Sequence, residues 1–235
     1  MTELDARTRA KREAGFAAVD RYVRPGMVIG LGTGSTAVWA VRRVGELLAT
    51  GALSDVCAVA TSGASAAEAS LCGVPLTSLD EHPRLTVTID GADEVAPSLD
   101  LIKGGGGAHL REKVVAQASD QLVIVVDEDK LVPVLGTSFA VPVEVISMAQ
   151  RPEREFLEFL GATVSLRTAA DGSVFVTDEG NHILDAAFGP IGDPAGLLRG
   201  LQDRAGIVEV GLFLGLTSLV VVAGPDGVRE LRPGS

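Results

Sequence analysis

Val28-Ile29-Gly30-Leu31-Gly32-Thr33-Gly34-Ser35-Thr36 is a short apolar strand that runs directly into a turn of glycines and hydroxyls. A helix is expected from that turn to about residue 48, and another before it over residues 3–23, ended by Pro25-Gly26. The alternation then repeats. Residues 56–60 read as a strand and 65–71 as a helix; 85–89 read as a strand ending at Asp90, 108–119 as a helix and 122–126 as a strand. Near-continuous apolar strands separated by helices are the mark of a parallel sheet covered on both faces. Ligands bind such sheets outside the carboxyl ends of the strands. Thr33, Thr61, Asp90 and Asp127 all fall there, so four polar clusters are expected on one rim.

From about residue 135 to 206 the texture changes. Residues 141–145, 163–166, 174–176 and 183–184 look like strands of a smaller antiparallel sheet, with helices near 152–160 and 194–205. Asp171-Gly172 reads as a hairpin turn between two of those strands. Residues 207–213 and 219–222 then return to buried-strand character. The expected class is α/β: a Rossmann-like parallel-sheet domain over 1–134 plus 207–235, with a smaller inserted α+β, ferredoxin-like domain over 135–206 that serves oligomerisation.

Of the 235 residues, 46% are hydrophobic and 22% charged, which supports a sizeable core and argues against disorder. Aromatics are only 4% and the net charge is −11, so nucleic acid is not an expected partner. Two cysteines, Cys57 and Cys72, lack metal-ligand spacing and suit a reduced, cytoplasmic setting. No run of about 18 apolar residues appears, and no membrane partner is expected.

The turn at Gly30–Thr36 fails the dinucleotide fingerprint, because Ser35 occupies the third glycine position and no acid ends the second strand. It is not a Walker A loop either. What remains is a helix start with free N–H groups and three hydroxyls, suited to a phosphate monoester or to plain helix capping. The second cluster is Asp90-Gly91-Ala92-Asp93-Glu94 with Lys103-Gly104-Gly105-Gly106-Gly107 and Arg111-Glu112-Lys113. Each of those glycines costs about 0.5–1 kcal/mol of ordering entropy relative to alanine. Four together beside a lysine suit an anion-binding nest of backbone N–H groups. The aspartates could cap a turn, join Glu94 on a magnesium ion, or do acid/base work at a strand end. Glu112 alone would read as a solvated helix residue paired with Arg111 or Lys113. The histidines, His82, His109 and His182, are scattered.

Taken with GLGTGSTA (30–37), Thr61-Ser62, VDxxK (126–130), GNHILD (180–185) and VExGLF (208–213), these blocks resemble the ribose-5-phosphate isomerase A family in order and spacing over nearly the whole chain. The resemblance implies aldose–ketose isomerisation between D-ribose 5-phosphate and D-ribulose 5-phosphate, through an enediolate and in the non-oxidative pentose phosphate pathway. It assigns Glu112 as the base moving the carbon-bound proton and Asp90 as the group handling the hydroxyl proton. Lys103 and the glycine N–H groups would hold the enediolate oxygen, and Asp93 would orient sugar hydroxyls or Lys103. The substrate-binding set it implies is Thr33, Gly34, Ser35, Thr36, Asp90, Gly91, Ala92, Asp93, Lys103, Gly104, Gly105, Gly106 and Lys130, with Lys11 or Arg12 as a further basic contact. It implies no cofactor, no metal and a homodimer or homotetramer. Asp129 stands where a serine is common, and His109-Leu110 where Leu-Thr is usual. Alternatives on the same fold are a sugar-phosphate sensor domain, which would carry a DNA-binding segment, and a related sugar-phosphate isomerase or deaminase, the latter needing a catalytic histidine.

Overall fold

A computed structural model describes residues 5–234, which divide into two compact units. The first comprises residues up to 92, 111–130 and 216 onward; the second comprises 93–110 and 131–215.

The first unit is built on a six-stranded sheet. Its strands are β1 (Val28–Leu31), β2 (Cys57–Ala60), β3 (Val87–Asp90), β6 (Leu122–Asp127), β12 (Leu219–Gly224) and β13 (Gly227–Leu231), in the order β13-β12-β6-β3-β1-β2. All neighbours are parallel except the β12–β13 hairpin. Every residue of β6 is buried, as its Leu-Val-Ile-Val-Val run requires of a central strand covered on both faces. Helix α1 (Ala6–Tyr22) packs Ala14, Ala18 and Val19 into the same core as Val123, Val125 and Val221. Each fully buried valine contributes about 1.5–3 kcal/mol relative to exposure. Asp5 caps α1 by accepting the Thr8 N–H at 2.9 Å. Helices α2 (Ala37–Ala49) and α3 (Gly63–Leu71) follow β1 and β2 as expected. Strand order reverses between β1 and β3, which makes their carboxyl ends the topological switch point of the sheet.

The second unit has a four-stranded antiparallel sheet, β10 (Ile207–Val210), β7 (Val141–Val145), β9 (His182–Ala187) and β8 (Thr163–Leu166), in that order. Helices α5 (Gln150–Phe159) and α6 (Pro194–Gln202) contribute Leu157 and Leu201 to a core with Val143, Val145 and Leu184. A small sheet of β11 (Leu212–Phe213), β5 (Leu101–Ile102) and β4 (Glu94–Val95) completes it.

These units do not divide at 135 and 206. Residues 93–110 belong to the second unit because β5 pairs with β11, and the Lys103 N–H donates to the Gly211 carbonyl at 2.9 Å. The expected strand over 207–213 is two strands interrupted at Gly211, whose own N–H is bonded to the Pro142 carbonyl at 2.7 Å. Residues 174–176 are no strand; only an isolated bridge, Thr168 to Val174, flanks the turn at Gly172. The turn itself forms, with Gly172 at φ +85°.

Candidate functional site

In the first unit, the polar residues that follow β1, β2 and β3 gather at the switch point. Asp90 ends β3 and is 1% exposed. Its Oδ1 accepts two backbone N–H groups, from Thr33 at 3.0 Å and from Gly91 at 2.7 Å. The approach of the two strand ends depends on Gly32: a Cβ there would lie 2.1 Å from the same Oδ1. Glycine at this position is a packing requirement rather than a turn preference.

The Thr33 hydroxyl meets Thr61 Oγ1 at 2.8 Å and Ser62 Oγ at 2.7 Å, while the Thr61 hydroxyl donates to the Leu31 carbonyl at 3.0 Å. The hydroxyls past β1 and β2 therefore form one network. Ser62 also caps α3 through a reciprocal pair of bonds with Ser65. Gly34 and Ser35 are exposed, Gly34 at φ +111°, and Thr36 stands at the start of α2. Lys11, reaching from α1, donates to Ser35 Oγ at 2.9 Å. Its neighbour Arg12 instead lies over the Phe16 ring, 4.7 Å from the centroid. Of the two basic candidates, Lys11 is the one at the turn.

Glu112 sits in the first turn of α4 (His109–Gln117) and is 3% exposed. A solvated helix-face carboxylate would not be. Lys113 beside it is 5% exposed, so the helix buries two adjacent charged groups where neither would go for stability alone. Lys130 ends a 3₁₀ turn, Glu128–Lys130, after β6. The Asp129 side chain points to solvent, with Arg7 Nε 3.8 Å away. A cavity of about 560 Å³ is lined in part by Arg7, Glu13 and Asp127, so of the four expected rim positions it takes in Asp127 and not Thr33, Thr61 or Asp90.

The second unit holds the remaining candidates. Asp93 anchors its backbone by donating to the Ile102 carbonyl at 2.8 Å, and its Oδ2 accepts the Gly105 N–H at 2.7 Å. Lys103 is 3% exposed, its ammonium 5.4 Å from the Phe213 ring centroid. The glycine run closes as a turn in which Gly107 donates to the Gly104 carbonyl at 2.9 Å. Gly104 and Gly107 are buried and adopt φ of +104° and +78°, whereas Gly105 and Gly106 form an exposed tip. A Cβ would meet His109 Nδ1 at 2.8 Å from Gly104, and the Phe175 ring at 2.5 Å from Gly107.

Glu94 is not available to a metal. Its buried carboxylate accepts the N–H groups of Gly136 at 2.6 Å, Ser138 at 2.5 Å and Phe139 at 2.8 Å, together with the Ser138 hydroxyl at 2.8 Å. It staples β4 to the 136–139 loop. Sequence reading passed over a second buried acid, Glu144 on β7, whose Oε1 accepts from Thr177 Oγ1 and Asn181 Nδ2, both at 2.9 Å. His109 Nε2 lies 3.8 Å from its Oε2, and burial pushes the Glu144 carboxyl up from the ordinary range. His109 is thus a buried structural group behind Gly104.

The sequence model of ribose 5-phosphate isomerase A (phosphoriboisomerase A) matches residues 57–227. The ribose-5-phosphate isomerase A of Chloroflexus aurantiacus is 53% identical over 224 residues, covering 95% of this chain and 94% of that protein. That of Desulfatibacillum aliphaticivorans is 50% identical over 99% of both. Among solved structures, a D-ribose-5-phosphate isomerase in complex with phospho-erythronic acid superposes with TM-score 0.94 at 36% identity, covering 96% of this chain and 99% of its own. The Plasmodium falciparum enzyme gives 0.93 at 37% identity, over 97% and 100%.

Proposed function

Since the chain belongs to the ribose 5-phosphate isomerase A family, we propose that Glu112 is the base that carries the proton between C2 and C1 of the sugar. The reaction is the interconversion of D-ribose 5-phosphate and D-ribulose 5-phosphate. Removing the C2 proton of the open-chain aldose leaves an enediolate, and returning it to C1 gives the ketose. The observation that carries the assignment is the burial of Glu112, 3% exposed in the first turn of α4. General-base work of this kind asks for a carboxylate held at a fixed place in the fold.

Asp90 takes the hydroxyl proton and assists ring opening. Two N–H bonds to one oxygen hold its carboxylate in place. Lys103 and the glycine turn hold the enediolate oxygen. Gly105 already donates to Asp93, and Gly107 to Gly104, which leaves the Gly106 N–H at the exposed tip for that purpose. Asp93 acts by orienting the turn. Thr33 to Thr36, with Lys11 and Lys130, bind the phosphate, using the N-terminus of α2 and its hydroxyls.

The working form in this proposal is a homodimer or homotetramer, supported by Met148 and Phe159, which are 86% and 84% exposed on the second unit. Light scattering reads that directly. A cytoplasmic location is supported by two unbridged cysteines.

The test is formation of ribulose 5-phosphate from ribose 5-phosphate. Glu112→Gln is expected to lower kcat by about 10²–10⁴-fold while substrate still binds. Parent-like turnover in that variant would remove Glu112 from the chemistry.

A further inference from the structure

The glycine turn is gripped by a residue outside every motif recognised in the sequence. Arg167 follows β8, and its Nη1 donates to the carbonyl of Gly104 at 2.7 Å and to that of Gly105 at 3.2 Å. The rest of its guanidinium is bidentate to Asp185 on β9: Nε reaches Oδ2 at 3.0 Å, and Nη2 donates to Oδ1. Asp185 stands opposite Ser165 in the β8–β9 register, so Arg167 and Asp185 form a diagonal pair on one face of the sheet. The Arg167 side chain is 13% exposed. The segment it begins also supplies Phe175, whose N–H donates to the Arg167 carbonyl at 3.0 Å and whose ring blocks the space beside Gly107.

A planar trans peptide points its carbonyl and its N–H in opposite directions. Holding the Gly104 carbonyl therefore aims the Gly105 N–H, which goes to Asp93. Holding the Gly105 carbonyl aims the Gly106 N–H. Glycine has no side chain to resist rotation of these peptides, so without an external hold the donors at the tip would reorient freely. A lysine could supply the charge but not a fork that serves two carbonyls and two carboxylate oxygens at once.

We infer that Arg167, oriented by Asp185, is a positioning residue for the isomerisation: by holding the Gly104 and Gly105 carbonyls it keeps the Gly105 N–H on Asp93 and the Gly106 N–H aimed at the oxygen that becomes charged in the enediolate. The inference rests on the isomerase reading above. A donor aimed at charge that exists only at the transition state contributes to kcat and not to ground-state affinity.

The experiment compares parent, Arg167→Ala and Arg167→Lys in the ribose 5-phosphate assay, with melting curves for each. Arg167→Ala is expected to lose about 10- to 100-fold in kcat with KM nearly unchanged. Millimolar guanidinium chloride should restore part of that loss, whereas sodium chloride should not. Arg167→Lys should keep the fold and lose kcat by about 10-fold. A rise in KM at unchanged kcat, parent-like kcat in both variants, or loss without guanidinium rescue would overturn the inference. If Arg167→Ala does not fold, parent-like kcat in Arg167→Lys overturns it. An inactive parent would instead overturn the isomerase reading, so the two failures are distinct.

Discussion

The two turns proposed to hold anions are built from different materials. The turn after β1, residues 32–36, is held largely by side-chain hydroxyls: Thr33 bonds Thr61 and Ser62, Lys11 reaches Ser35, and the Asp90 carboxylate takes the Thr33 N–H. The glycine turn, residues 104–107, has no side chains and is held from outside by charged groups, Asp93 on an N–H and Arg167 on two carbonyls. A phosphate carries its charge before, during and after the reaction. Flexible hydroxyls and a lysine suffice for it, and they contribute equally to substrate and transition state. The enediolate oxygen gains its charge only briefly, and donors for it must already be aimed when it appears. On the proposed assignment, the difference in construction follows from whether the charge is permanent or transient.

That contrast can be broken most forcefully at Gly107. Alanine there combines an unfavourable φ of +78° with a collision against the Phe175 ring, so the turn must shift. Gly107→Ala is expected to lower kcat by about 10²-fold with little change in KM, a loss comparable to removing one oxyanion donor. A KM effect of that size would mean the glycine turn binds ground-state charge as the other turn does.

The complementary change is Lys11→Ala. It is expected to raise KM by about 10-fold and leave kcat near the parent value, the signature of uniform binding lost. A fall in kcat at constant KM would erase the distinction between the turns.

A smaller effect sharpens the support behind the glycine turn. Burial raises the Glu144 carboxyl above its unfolded value of 4.5, so the folded state holds that proton more tightly than the unfolded one. Stability from this group is then greatest below pH 4.5 and declines as pH rises through the folded value. Glu144→Gln removes the decline and keeps an acceptor for Thr177 and Asn181. Its melting temperature relative to the parent should improve by about 2–4 °C between acid and neutral pH. A difference independent of pH would show that Glu144 is not carrying that burden.

Much of the parallel sheet was legible in the sequence, because a run such as 122–126 is apolar at every position and its flanking helices are periodic. The region 207–213 was not, since a continuous apolar run says nothing about which sheet will take it. Its division at Gly211 is decided by partners in Pro142 and Lys103, far away in sequence. The two-residue strands β4 and β5, and the β13 hairpin, are too short or too polar to declare themselves. At the site, Asp90, Asp93, Lys103 and the glycines stand out by type and spacing. Glu112 does not, because a Glu between Arg and Lys is an ordinary helix surface until its burial is known. Arg167 gave no local signal at all. Its meaning lies in Gly104 and Gly105, reached only through folding.

The chain passes between its two units four times, and this bears on how it is made. At synthesis, β1, β2, β3 and β6 emerge well before Leu219–Gly224, the strand that lines up with Val123–Asp127 along one side of β6. Until then the nascent chain carries a strand with five apolar residues in a row and one open edge, the kind of surface that recruits other chains. β12 and the charged β13 that borders it close that edge. A ribosome stalled short of residue 219 therefore holds a chain with most of its chemistry encoded and its most adhesive edge uncovered.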